Sequence, residues 1–378
     1  MGANKEMAGR QTSRNRIYRV IYENKGVSRQ TIADTLHMSL PTVVTYLNEL
    51  KEEGLVRETG VFASTGGRRA VSYEINEDSR MAVGMEVTAD YAKAVLVNLR
   101  GNVLAKEKVE HPFSYTKEYA GLLHSLLKRI KKRVDQEKYL GVGIALPAIL
   151  SPDGKQILHA ETLGIENVET DLLKSEMHEP VLFFHDSAAA GLAEGYARPV
   201  TDHLAYLYLS DTVGGAILDG RELVFGRHGQ SAEFGHMILH PGGKRCYCGR
   251  NGCADTCLSA KRLAQGEADG LAGFFRQLER GEIEAKSRFQ SYCRELALLI
   301  SNIRVTLDCD LILGGDVGGF LPPYMEEVKE EIRRLDGGIM PLDYLKTCVY
   351  GEDAAARGGA FLLIQEFVKN SVLVTVQP

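Results

Sequence analysis

Tryptophan is absent from this 378-residue chain, so no indole contributes to any core or site. There is no run of 18 apolar residues, which excludes a membrane-spanning helix. The first six residues, Met1 to Glu6, lack the apolar core of a secretory signal, so a cytoplasmic protein is expected. The net charge of −5 is small, so the chain as a whole is neither polybasic nor polyacidic. Cysteine is limited to seven residues, too few and too unevenly spread for a disulfide scaffold, which fits a reducing compartment.

What is present is organised unevenly. The length is too great for one ordinary core and implies two or three domains. Residues 1–29 hold seven Lys/Arg against Glu6 and Glu23, whereas the rest of the chain is net acidic. A basic leading segment on an acidic body suggests a nucleic-acid module joined to something else.

Residues 13–24 have helical periodicity, with Ile17, Val20 and Ile21 on one face. Ser28 is placed to cap a second short helix over 29–37, and Ser39 a third that runs to Glu53 and stops at Gly54. Pro41 lies in the first turn of the third helix, where its missing N–H costs nothing. Val43, Leu47 and Leu50 mark the inner face of that helix. Its outer side carries Pro41, Thr45 and Asn48, flanked by Thr42 and Val44. Small hydroxyl and amide groups at the start of an outward helix face suit base edges in a major groove. Residues 55–57 and 70–75 read as two strands of a hairpin. Between them Gly66, Gly67, Arg68 and Arg69 form a basic tip suited to phosphate or a minor groove. Helix, helix, helix, hairpin is a winged helix-turn-helix. DNA contacts are therefore expected at Thr42, Val44, Thr45, Asn48, Arg68 and Arg69. A protein-interaction domain with a basic loop is the plainer alternative.

From Met81 onward strand and helix patterns alternate. Strands are expected at 81–87, 92–99, 139–146, 181–184, 204–209, 215–218 and 223–225, with helices at 119–137 and 188–197. This alternation implies an α/β sheet architecture in two similar halves with a cleft between them.

The densest chemistry lies between Glu233 and Asp255. His236, Cys246, Cys248 and Cys253 fall within 18 residues as His followed by Cys-x-Cys-x4-Cys. Imidazole plus soft thiolates is the ligand set of a closed tetrahedral Zn2+ site. Gly249 and Gly252 sit where a chain wrapping an ion needs tight turns. The remaining cysteines, Cys257, Cys293, Cys309 and Cys348, read as small core residues.

Glu233-x-Gly-His236 followed by Cys-x-Cys-Gly-x-x-Gly-Cys resembles the signature of the ROK family (repressors, open reading frames, kinases). The resemblance extends over nearly the whole chain after residue 80, and the family's repressor branch also covers the first 80. It implies a two-lobed actin-like (ribonuclease H-like) sugar-kinase fold with a structural zinc loop. It also implies that Glu233 and His236 face a sugar. Asp255 stands where the family has a sugar-contacting Glu. Asp186 in His185-Asp-Ser-Ala-Ala-Ala matches the family's catalytic base, and His185 and Thr162 occupy positions where kinases place Asn. The kinase phosphate turn, Asp-x-Gly-Gly-Thr, is replaced by Glu86, Val87, Thr88, Ala89 and Asp90, with both glycines lost. The second phosphate loop, 210–215, keeps two glycines but gains Asp211. The stretch 313–319 resembles the family's adenosine-side loop.

A kept sugar side and a lost phosphate turn fit a kinase scaffold reused as a sensor, with Asp186 a vestigial base. The expected function is a DNA-binding repressor of carbohydrate-utilisation genes. A sugar or sugar phosphate would be held by Asp186, His185, Glu233, His236 and Asp255, and Zn2+ by His236, Cys246, Cys248 and Cys253. Operator DNA is the expected partner and a homodimer, or a tetramer built from it, the expected assembly. The domains are read as 1–79, 80–198 and 199–378, with a C-terminal helix that returns to the first lobe. The alternatives are an ATP-dependent sugar kinase that gained a DNA-binding head, and a regulator whose body binds a protein partner.

Overall fold

The computed structural model describes residues 2–61, 70–199, 201–339 and 341–370. The leading module consists of α1 (Gly2–Glu23), α2 (Arg29–Leu36) and α3 (Leu40–Glu52), followed by β1 (Val56–Val61) and β2 (Val71–Ile75). α1 starts well before the residue 13 expected from its apolar face, which orders only its second half. Each short helix starts on the serine anticipated for it. The Ser28 hydroxyl accepts the Thr31 N–H and the Ser39 hydroxyl accepts the Thr42 N–H, so orphan N–H groups of the first turn are satisfied. Ile17, Ile21, Ile32, Val43, Leu47 and Leu50 are fully buried together, closing a small core. β1 and β2 pair antiparallel, as the wing requires. The expected basic tip, with Arg68 and Arg69, lies outside the described residues.

The body contains two five-stranded sheets with the same plan. The first is built from β3 (Met81–Val87), β4 (Tyr91–Asn98), β5 (Val103–Glu110), β6 (Tyr139–Leu146) and, after a small flap, β10 (Val181–His185). The flap is β7 (Ile149–Leu150), β8 (Gln156–Ala160) and β9 (Ile165–Glu169). The first sheet runs β10-β6-β3-β4-β5, with β3, β4 and β5 antiparallel and β6 and β10 parallel to β3. The second sheet, of β11 (His203–Leu209), β12 (Val213–Asp219), β13 (Glu222–Leu223), β14 (Asp310–Gly314) and β15 (Leu345–Thr347), runs β13-β12-β11-β14-β15 with the same senses. β13 is shorter than the expected 223–225, because only two residues pair with β12.

Helices cover the sheets. α4 (Lys117–Lys131) ends earlier than the expected 137, with a short 3-10 turn at Gln136–Lys138 before β6. α5 (Asp186–Tyr196) follows β10 directly. In the second lobe, α6 (Asp255–Leu258), α7 (Ala260–Leu263), α8 (Gly270–Glu279), α9 (Ile283–Leu307), α10 (Gly315–Phe320) and α11 (Met325–Asp336) pack around one apolar cluster. Among the described residues no helix is long and apolar enough to cross a membrane.

The last helix, α12 (Ala354–Asn370), lies against β3, β6 and α5 of the first lobe. Its backbone touches the sheet. A Cβ at Gly84 of β3 would come within 1.7 Å of the Ala356 carbonyl oxygen, so only glycine permits this approach. The far end of α12 carries the leading module. The Tyr18 and Phe367 rings meet edge to face at 6.0 Å, and Asn15 Nδ2 donates to the Asn370 carbonyl at 2.8 Å. Tyr22 Oη donates to the Leu99 carbonyl, and Arg100 returns a bond to the Tyr22 carbonyl. The leading module is therefore seated on the body through α1.

Candidate functional site

β10 ends at His185 and α5 begins at Asp186, which puts both side chains where strand gives way to helix, beside the second lobe. Asp186 Oδ1 accepts the Ser187 N–H at 2.7 Å, so the carboxylate also closes the helix start. Ser187 Oγ donates to the Gly215 carbonyl in β12 and lies 2.7 Å from His185 Nδ1. One hydroxyl thus ties the first lobe to the second at the floor of the cleft. Burial pushes the Asp186 carboxyl up to about 7 and holds the His185 imidazole below its usual value. Burial also raises Glu233, with His185 pulling the other way.

A cavity of about 480 Å³ opens in front of these groups. Pro147, Ala148 and Ile149 line it after β6, and His159, Glu161 and Thr162 from the flap. Thr212, Gln230, Glu233, His236 and Met237 line it from the second lobe, with Tyr247, Cys248 and Arg250 at its rim. The volume falls in the usual range for a small-molecule site. Carboxylate, imidazole, amide and hydroxyl groups converge there, the donor and acceptor mixture that matches a polyhydroxylated ligand.

Of the five residues expected at a sugar, His185, Glu233 and His236 line this cavity. Asp186 stands immediately behind His185 and is not among the lining groups. Asp255 is turned elsewhere: its Oδ1 accepts the Val213 N–H at 2.7 Å. One methylene shorter than Glu, its side chain serves the start of β12. The flap residues His159 and Glu161 and the rim residues Tyr247 and Arg250 were not anticipated. Arg250 lies inside the Cys-rich run and could have been suspected; the flap residues are brought in only by tertiary folding.

The Cys-rich loop is a knuckle. Single antiparallel bridges join Ile238 to Cys253 and Arg245 to Asn251. Gly252 adopts φ +79°, and a Cβ there would lie 1.7 Å from the His240 carbonyl oxygen. His236, Cys246, Cys248 and Cys253 bring four ligand atoms within 4.8 Å of one another. Cys248 and Cys253 sulfurs are 3.7 Å apart, and Cys246 Sγ is 3.8 Å from His236 Nδ1. A tetrahedral ion with bonds of about 2.3 Å to sulfur sets neighbouring sulfurs about 3.8 Å apart, so the four residues fit a closed metal site. With Nδ1 toward the sulfurs, His236 belongs to both the knuckle and the cavity wall.

The turn after β3 is closed upon itself. Thr88 N–H donates to the Tyr91 carbonyl, and Thr88 Oγ1 accepts from the Asp90 and Tyr91 N–H groups. No N–H of Thr88, Asp90 or Tyr91 is left to cradle an anion. Glu86 is buried and paired with Lys93 at 2.7 Å, and Lys93 also donates to the Glu352 carbonyl. Burial pushes Glu86 up to about 7, opposed by Lys93 and reinforced by Asp316 and Asp186. Asp316, in turn, accepts from the Ser210 hydroxyl. The end of the cleft where a kinase would hold phosphates is acidic, and the buried cation there, Lys93, is already paired.

On the leading module, Thr42, Thr45 and Asn48 are exposed on α3 and Val44 is half-buried. Thr45 Oγ1 bonds back to the Pro41 carbonyl at 3.0 Å. Ser39 and Thr42 hydroxyls share a bond at the helix start.

A family model described as ROK family matches residues 82–366, and one described as winged helix-turn-helix DNA-binding matches residues 10–57. The DNA-binding transcriptional dual regulator NagC of Escherichia coli (strain K12) is 29% identical over 258 residues. That match covers 66% of this chain and 63% of NagC, so the chain aligns with less than two thirds of that relative's length. The fold matches a crystal structure of a ROK family transcriptional regulator, a homolog of the E. coli MLC protein, with a TM-score of 0.75 at 20% identity. That match covers 96% of this chain and 97% of the other. A ROK family glucokinase from Streptomyces griseus in complex with glucose and AMPPNP gives a TM-score of 0.67 at 21% identity, over 75% of this chain and 99% of the kinase.

Proposed function

The chain belongs to the ROK family, and from that premise we propose that it is a DNA-binding transcriptional regulator, a repressor of carbohydrate-utilisation genes. A sugar or sugar phosphate in the cavity sets its hold on operator DNA. The observation that carries this reading is the pairing of a winged helix-turn-helix with a ROK body whose phosphate turn spends the N–H groups of Thr88, Asp90 and Tyr91 on its own atoms. An incoming triphosphate would meet the carboxylates of Glu86, Asp186 and Asp316, so the scaffold can hold a sugar without activating ATP. Similarity to NagC, a transcriptional dual regulator, supports regulation rather than catalysis.

In this reading α3 enters the major groove, with Thr42, Val44, Thr45 and Asn48 at base edges, and Arg68 and Arg69 of the wing lie on the backbone. Zn2+ is the metal of the knuckle, because three thiolates and an imidazole at tetrahedral spacing suit it better than hard oxygen-seeking ions. His236 then holds zinc through Nδ1 and presents its Nε2–H to the sugar. Glu233 and His185 accept hydroxyls, and closure of the lobes brings Asp186 forward to the same ligand. Asp255 acts through the Val213 turn. The protein works as a two-fold dimer, and lobe closure changes the spacing of the two DNA-binding modules. The ligand must favour one spacing over the other, or it switches nothing. The functional units are taken as 1–79, 80–198 and 199–378, with α12 packed on the first lobe.

The test is a thermal-shift screen over a sugar and sugar-phosphate panel, with and without ATP and Mg2+, followed by operator footprinting. A sugar-only shift that alters footprinting is expected. Sugar phosphate formed at roughly 1–100 per second, a kinase-like rate, and lost in Asp186→Asn would overturn the reading in favour of an enzyme.

A further inference from the structure

A second set of metal-ligating side chains lies outside the cavity and shares no ligand with the four-residue site described above. His240, Cys257 and Glu295 bring an imidazole, a thiol and a carboxylate together, with their ligand atoms all within 4.8 Å of one another. His240 comes from the knuckle loop, Cys257 from α6 and Glu295 from α9. We propose that these three residues form a second Zn2+ site, with three protein ligands and a fourth position open to water or an exogenous donor.

The chemistry of the set favours zinc. Thiolate and imidazole exclude Mg2+ and Ca2+, which take oxygen ligands, and the mixed N, S and O set is one that zinc accepts. Thiolate plus carboxylate supplies two negative charges, so the loaded centre is neutral. Burial pushes the Cys257 thiol up to about 12, reinforced by Glu295 and Asp255 and opposed by Lys244 and Arg262, so an incoming ion must displace its proton.

The three ligands are also held in place. The His240 N–H donates to the Gly252 carbonyl and the His240 carbonyl accepts the Gly243 N–H. These bonds aim the imidazole from the knuckle toward α9, where Nε2 lies 2.6 Å from Glu295 Oε2. Tyr292 Oη donates to the Leu258 carbonyl, fixing α6 against α9 beside Cys257 and Glu295. Bonds of about 2.0–2.3 Å in a tetrahedron set ligand atoms about 3.3–3.8 Å apart. The close His–Glu pair must open and the wider pairs close by about 1 Å, which side-chain rotation provides. A metal here would staple the knuckle loop, and with it the cavity wall at Tyr247 and Arg250, to the longest helix of the second lobe.

The experiment titrates full-length protein, already loaded at the first site, with Zn2+ against a chromophoric chelator. Total bound zinc, the ion already loaded plus that taken up, is expected to reach two equivalents per chain for the wild type and one for each of Glu295→Gln and Cys257→Ser. With Co2+ in place of zinc, thiolate-to-metal absorption should fall in Cys257→Ser and persist at reduced intensity. Melting without added metal shows whether each variant retains its fold; Glu295→Gln changes a partly exposed helix position and should match the wild type. One equivalent in the wild type overturns the proposal. So does a second equivalent that survives in both variants, since that ion would be bound elsewhere.

Discussion

The Lys93 ammonium stands 2.7 Å from the Glu86 carboxylate, and both side chains are all but sealed from solvent. Asp353, just before α12, adds a second carboxylate 3.5 Å from the same ammonium, and Lys106 pairs with Asp353 from the surface side at 2.7 Å. The ion pair therefore ties β3 and β4 to the start of the helix that carries the leading module.

Lys93→Met should leave the buried Glu86 carboxylate without its cation, while Asp353 keeps Lys106. Removing one partner of a buried pair costs on the order of 3–5 kcal/mol, read as a lower denaturant midpoint. Lys93→Met with Glu86→Gln should recover part of that loss. A single variant as stable as the wild type would mean that solvent already reaches the pair.

Cys248→Ser should lower bound zinc by one per chain and reduce thermal stability, because a closed structural site contributes folding energy outright. Elemental analysis and melting report both. Full metal content with an unchanged melting temperature would remove Cys248 from the ligand set.

The pH dependence of sugar binding should follow Asp186. Burial lifts its carboxyl from the ordinary 3.8 to about 7. A folded-state value above the unfolded one gives a stabilising contribution that is whole below about pH 4 and is lost as pH rises through about 7. Without ligand, stability should therefore fall across that window, Glu86 acting in the same sense. A neutral sugar that donates hydroxyls to the ionised carboxylate should bind more tightly at pH 8 than at pH 6. Calorimetry on Asp186→Asn should show this dependence flattened, with DNA binding kept. Equal affinity at both pH values in the wild type would show that Asp186 does not accept from the sugar.

Thr45→Ala and Asn48→Ala should change base preference, each lost base contact costing on the order of 1–3 kcal/mol. Arg68→Ala should weaken binding to all sequences alike and reduce its salt dependence. Footprinting over a randomised operator separates the two patterns. An Arg68 variant with undiminished binding would place the wing away from DNA.

Much of the leading module was legible in sequence because its signals are local. Ser28, Ser39 and Pro41 mark helix starts, and Val43, Leu47 and Leu50 mark the buried face within single turns. The start of α1 was not legible, because its first turns carry no clear apolar stripe. The knuckle was legible for the same reason as the caps: its four ligands lie within 18 residues, so spacing alone brings them together.

The cavity and the closed phosphate end were settled elsewhere. The sequence by itself determined which chemical groups are available: Glu233, His236 and the cysteines, the missing glycines after Glu86, and a lysine in the apolar strand at Lys93. Only tertiary structure decided what those groups meet. Asp255 could have faced a sugar and faces the Val213 N–H, and Lys93 could have been a stray surface charge and instead reaches Asp353 and the Glu352 carbonyl. The flap joins the cavity because β7 packs beside β10 and pairs with β8, far from the knuckle in sequence. The physical reason is common to all three cases. A buried charge or donor must find a partner, and when that partner lies tens or hundreds of residues away, only the packing of the sheets and α12 selects it.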